Sequence, residues 1–153
     1  MELKEFISNV QANGGSNSLK LLSECVELTR NKTSEWCLNY RPEKPLLRLN
    51  TGAMEGCYVN LDGLLMPVRN NSTKETIQNL INSNVEETLH SNTYVTLPNA
   101  VPLFINHEFV NENYKDLIFE YKILLLNLQE TKLRGDWAKA HSKEAVEFIK
   151  NLI

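Results

Sequence analysis

Three histidines are the first place to look for chemistry in this chain, because a neutral imidazole can take up and return a proton near pH 7. His90 falls at the end of an expected helix, where the helix dipole alone accounts for it. His107 sits in the polar stretch Asn106-His107-Glu108, and His141 lies on the apolar stripe of an expected terminal helix. Two basic sets stand beside them: Arg69, Ser72 and Lys74 within one short segment, and Arg134 upstream of His141. Guanidinium or ammonium groups grip a phosphate, and a hydroxyl or imidazole then moves a proton, which is the minimum for metal-independent RNA cleavage. The structural alternative is as specific. Ser72-Thr73-Lys74-Glu75 is a capping box, in which hydroxyl and carboxylate each satisfy an orphan backbone donor. Glu86, Glu87 and Glu108 are isolated carboxylates and read as solvated. The chain has no glycine-rich phosphate loop, Ser-His-Asp set or acidic cluster with metal spacing, so neither cofactor nor metal is expected.

Cys25, Cys37 and Cys57 make an odd count without a CxxC pair. Such spacing points to reduced thiols in a cytoplasmic setting and offers no zinc site. Sixteen basic residues against 19 acidic ones give a formal charge of −3. The basic residues are scattered, so nothing electrostatic favours nucleic acid, and RNA is the lesser expectation. No apolar run reaches the roughly 18–20 residues of a membrane span, and the opening residues do not read as a signal peptide. At 153 residues, 42% apolar and 23% charged, the chain reads as a single domain spanning 1–153 with its own core. Its wealth of Asn, Ile, Leu and Lys fits an AT-rich bacterial or phage genome.

The elements that would position these groups follow from periodicity. Leu3, Phe6, Ile7 and Val10 form a helical stripe, stopped by Gly14-Gly15. A second helix, capped by Ser16 or Ser18, is expected to run to Cys37 or Leu38, with Arg41-Pro42 and Pro45 ending it. Strands are expected at 46–50, 57–61 and 64–68, with Asp62-Gly63 as a hairpin turn needing positive φ. Pro67 places the last of these at an edge or a bulge. The capping box opens a helix carrying Ile77, Leu80, Ile81, Val85 and Leu89. Strands at 93–97 and 101–105 precede a long helix over Val110–Leu133. Gly135-Asp136 separates that helix from a last one carrying Trp137, His141, Ala145, Phe148, Ile149 and Leu152. Strands grouped between helices predict an α+β fold, an antiparallel sheet of about five short strands with helices before, between and after.

The long helix has apolar residues on two faces. Val110, Tyr114, Leu117, Ile118, Tyr121, Leu124, Leu125 and Leu128 share one stripe, while Phe119, Ile123 and Leu126 make another. Two such faces predict either burial between two layers or a partner lying against the second face, and the partner is the expectation here.

Three resemblances attach to particular segments. Arg134 with His141 resembles the Arg…His spacing of HEPN-type ribonucleases, which implies both residues facing a dimer groove. Gly63 to Lys74 resembles a strand-to-loop segment of ribonucleases from type III toxin–antitoxin systems, which implies RNA contacts by Arg69, Ser72, Thr73 and Lys74. From about residue 16 onward, the element order resembles class I chaperones of type III secretion. Gly56 to Gly63 looks like their central strand and turn, and Val101-Pro-Leu-Phe-Ile with the following helix resembles their carboxy-terminal half. That resemblance implies a cytosolic α+β homodimer holding part of another protein on apolar surface.

The expectation is therefore a non-enzymatic protein-binding module of chaperone, immunity or inhibitor type, acting as a homodimer. Phe119, Ile123, Leu126, Tyr58 and Leu65 are its expected interface. A ribonuclease using Arg69, Ser72 and Lys74, or Arg134 and His141, is the alternative.

Overall fold

The first helix of the computed structural model, α1 (Leu3–Ala12), buries Leu3, Phe6, Ile7 and Val10, the residues its periodicity selects. The structure describes residues 1–32, 36–51, 55–83, 100–126 and 144–152. Gly14 follows α1 at φ +81°, which an L side chain resists. There the N–H of Gly15 reaches the carbonyl of Val10 at 2.8 Å, and that of Gly14 reaches Gln11 at 3.0 Å. This paired 6→1 and 5→2 closure is a Schellman stop.

Helix α2 (Ser16–Lys32) ends earlier than its stripe predicts, and Trp36–Arg41 forms strand β1. Trp36 and Cys37 therefore belong to a strand, not to a helix. Pairing with β2 (Leu46–Thr51) in the register Arg41↔Leu46 turns the proline-rich segment into a hairpin loop. A ladder along the whole strand outweighs the local helical spacing, since propensity yields to tertiary pairing. The sheet continues through β3 (Glu55–Asn60), β4 (Gly63–Arg69) and β5 (Ala100–Asn106) in the order β1-β2-β3-β4-β5, every neighbour antiparallel. The fold is α+β. Its first strand is one expected as helix, and the expected strand at 93–97 lies outside the described residues.

Two local expectations are corrected. Residues 61–62 make the β3–β4 turn, because Val59 faces Leu64. Asn60 Oδ1 ties that turn by accepting from the N–H groups of Asp62 at 2.8 Å and Gly63 at 2.9 Å. Gly63 does not take a positive φ. It is there because a Cβ would stand 2.2 Å from the Ile105 carbonyl oxygen of β5. Pro67 is on an interior strand, not at an edge, and faces Pro102 of β5. Neither proline has an N–H to exchange, so a facing pair suits a non-hydrogen-bonded position of the ladder. The registered pairs with β3, Tyr58↔Leu65 and Val59↔Leu64, stop short of the proline.

Alternation sorts the sheet into two faces. The cross-strand row Tyr40, Leu47, Val59, Leu64 and Ile105 points into the core beneath the helices. The row Asn39, Arg48, Tyr58, Leu65 and Phe104 lies on the opposite face. Helix α3 (Glu75–Ser83) sends Ile77 and Leu80 inward. Helix α4 (His107–Leu126) packs along α2 and across β4 and β5. A final helical segment, α5 (144–150), adds Ala145 and Ile149 to the same core. No helix among the described residues is long and apolar enough to cross a membrane.

Candidate functional site

Helix α4 carries the candidate site because its residues divide sharply between core and exterior. Val110, Leu117, Ile118, Tyr121, Leu124 and Leu125 are buried, as the first stripe predicts, while Tyr114 is half-buried and Leu128 lies outside the described residues. Phe119 is 48% exposed and Leu126 75%, with Ile123 half-buried beside them. The two stripes are real, and the second remains open to the exterior. Burying apolar side chains of this size is worth about 1.5–3 kcal/mol each, a gain that α4 leaves partly unrealised here.

What holds α4 in that rotation is a group that sequence reasoning missed. Glu120 is fully buried, and its carboxylate accepts from Arg69 Nε at 2.9 Å, Arg69 Nη2 at 2.8 Å and Ser72 Oγ at 3.0 Å. The bidentate fork matches guanidinium and carboxylate geometry. Burial works to raise the Glu120 pKa, but the bonds from Arg69 and Ser72, with the Arg69 charge, outweigh it and hold the group below the ordinary carboxylate range. The same pairing raises the Arg69 pKa, against some desolvation. With Glu120 fixed inward, its neighbour Phe119 must point out.

The expected phosphate-gripping set is thus assembled and then neutralised. Arg69, Ser72 and Lys74 do converge, yet Arg69 and Ser72 serve Glu120, and Lys74 Nζ pairs with Asp116 at 2.7 Å. Ser72 Oγ also accepts weakly from the Lys74 backbone N–H at 3.3 Å, a local turn ahead of the helix, which starts at Glu75 and so does not use Ser72 as its cap. Lys74 further lies 5.6 Å from the centre of the Phe119 ring, an arrangement that favours the cation over the π face. Arg134 and His141 lie outside the described residues, as does His90.

His107 is a buried structural residue, not a solvated loop histidine. It opens α4, and its Nε2 is 3.0 Å from the Leu61 carbonyl while Nδ1 is 2.7 Å from Ser18 Oγ. A carbonyl only accepts, so Nε2 donates to Leu61, while Nδ1 and the Ser18 hydroxyl share the second bond. One imidazole thereby ties the starts of α2 and α4 to the β3–β4 turn, and Ser18 is spent on this bond instead of capping α2. Deeper in, Thr29 donates to the Cys25 carbonyl at 2.7 Å and receives the Tyr121 hydroxyl at 2.6 Å. Cys25, Cys37 and Cys57 are free and buried, and burial with the adjacent Cys57 pushes the Cys25 thiol pKa up. A thiol so protonated is a poor nucleophile.

The five expected interface residues do not form one surface. Phe119, Ile123 and Leu126 are on α4, whereas Tyr58 and Leu65 are on the sheet face turned away from the helices. Leu65 is only 4% exposed and is enclosed by its own chain. Among the described residues, no group of three or more His, Cys, Asp or Glu side chains is placed to hold a metal ion.

No protein-family model matches the chain, and neither a curated protein nor a solved structure does.

Proposed function

We propose that this chain is a non-enzymatic protein-binding module that engages another protein through the outer face of α4. One observation carries the reading: Phe119 and Leu126 stand out from a helix whose opposite side is fully committed to the core. Large apolar side chains grouped on a rigid element are the usual anchors of a protein interface. Rigidity matters because a pre-ordered helix loses little further entropy on binding. The Arg69–Glu120 fork supports that rigidity, and it gives Arg69 a role beneath the surface that a catalytic role would have to displace. A chaperone, an immunity protein and an inhibitor all use such a surface, and none requires convergent titratable groups.

Affinity capture from the native host, comparing the wild type with Leu126→Glu, tests this. The reading expects a protein recovered stoichiometrically by the wild type and lost in the variant, with thermal stability unchanged. Equal recovery by both, or growth arrest and RNA cleavage on expression of the chain alone, would overturn it.

A further inference from the structure

We propose that the partner segment seated on α4 is apolar and carries carboxylates along one flank. This rests on the protein-binding reading above and adds the chemistry of the occupant. The ground is the charge on either side of the apolar stripe. At 100° per residue, Lys115 and Lys122 lie about 40–60° to one side of Phe119, and Ile123 and Asp116 lie at similar angles on the other. Both lysines are exposed, and neither makes an ion pair or hydrogen bond among the described residues. Asp116 is already neutralised by Lys74 at 2.7 Å. Glu112 precedes the non-helical Asn113, so along the turns that carry Phe119, Ile123 and Leu126 two exposed cations without an ion-pair partner among the described residues border one flank only.

That asymmetry argues against a second copy of this chain, the homodimer expected from sequence. In an antiparallel pair of identical helices, like flanks meet, which sets the lysine flank against itself. In a parallel pair, the lysines meet the flank of Asp116, whose charge Lys74 already uses. Carboxylates from a different chain satisfy Lys115 and Lys122 without opening any bond of the fold.

The probes are two synthetic amphipathic helices that share one Leu/Phe face and differ only in having Glu or Lys at every polar position. Their binding to the full chain is followed by fluorescence anisotropy, in the wild type and in the double variant Lys115→Glu/Lys122→Glu. The proposal expects the Glu peptide to bind about fivefold or more tightly than the Lys peptide at low salt, a preference shrinking as ionic strength rises. It expects the double variant to reverse the order while melting at the wild-type temperature. Equal affinity for both peptides, abolished together by Phe119→Glu, overturns the charge assignment and leaves the protein-binding reading intact. Binding of neither peptide also overturns it, and host capture then decides the broader reading separately. A wild-type chain that sediments as a dimer, broken by Phe119→Glu, would assign the face to a second copy and overturn the proposal.

Discussion

Replacing Arg69 with Met should be among the most damaging single changes outside the apolar core, and its cost should depend on pH. The substitution keeps much of the aliphatic stem and removes both donors of the fork, leaving the fully buried Glu120 with Ser72 as its remaining side-chain donor. Stranding one half of a buried ion pair costs about 3–5 kcal/mol. Arg69 itself is 26% exposed, and water reaching the gap places the expected loss near the lower bound, about 3 kcal/mol. For a domain of this size that is a fall in Tm of roughly 6–12 °C. The pH dependence follows from the direction of the Glu120 shift. In the wild type the folded-state pKa is depressed, so its stabilisation is complete above the unfolded value and is lost as pH falls through the folded value. In the variant, burial without Arg69 raises the folded pKa above the unfolded one, so acid stabilises the variant relative to its state at pH 7. The two curves converge as pH falls from about 7 to about 4. Urea unfolding followed by circular dichroism at both pH values measures the gap. The double variant Arg69→Met/Glu120→Met should recover most of the loss, since an apolar pair of similar volume replaces a buried ion pair at little cost. A single variant as stable as the wild type, or a gap that is constant with pH, would refute the role assigned to this fork.

Three further outcomes follow from the same geometry. Phe119→Glu should cost about 1 kcal/mol, because the half-buried ring gives up its contact with Lys74, yet it should abolish partner capture; thermal melts beside pull-downs check both halves. Gly63→Ala should cost about 1–3 kcal/mol, since the new methyl meets the Ile105 carbonyl across the β4–β5 ladder; denaturant titration measures it. Tyr121→Phe should cost about 1 kcal/mol, because Thr29 keeps its bond to the Cys25 carbonyl and loses one donor; the same titration reads it.

The parts of the fold that the sequence makes legible are those whose local signals agree with their tertiary use. The stripe of α1, the double glycine after it and the inward stripe of α4 all combine spacing with the matching environment. Residues 36–41 are illegible because Trp36 and Cys37 continue a helical spacing from α2, and only pairing with β2 resolves the competition in favour of strand. Pro67 misleads because a missing donor normally signals an edge, whereas a second proline opposite makes an interior position tolerable. Asp62-Gly63 marks the right hairpin for the wrong reason, since close approach of β5 and not backbone hand demands the glycine.

The candidate site is half legible. Phe119, Ile123 and Leu126 can be read from periodicity, because apolar residues out of phase with the buried stripe cannot reach the core that the stripe fills. Glu120 escapes notice because a single acid on a helix is normally solvated. A signal does exist: position 120 is three residues after Leu117 and four before Leu124, which places it on the buried face, where a charge requires a partner. Arg69 cannot be matched to it in advance, since strand and helix are distant in sequence and only the packing of α4 over β4 joins them.

The most direct test is a photo-crosslinking amino acid placed at position 119 in the native host, compared with the same group at the exposed Thr76 on α3. One discrete adduct to a single protein from position 119, and none from position 76, is the outcome a binding face on α4 requires. Adducts of equal yield and pattern from both positions, or none from either, would contradict it.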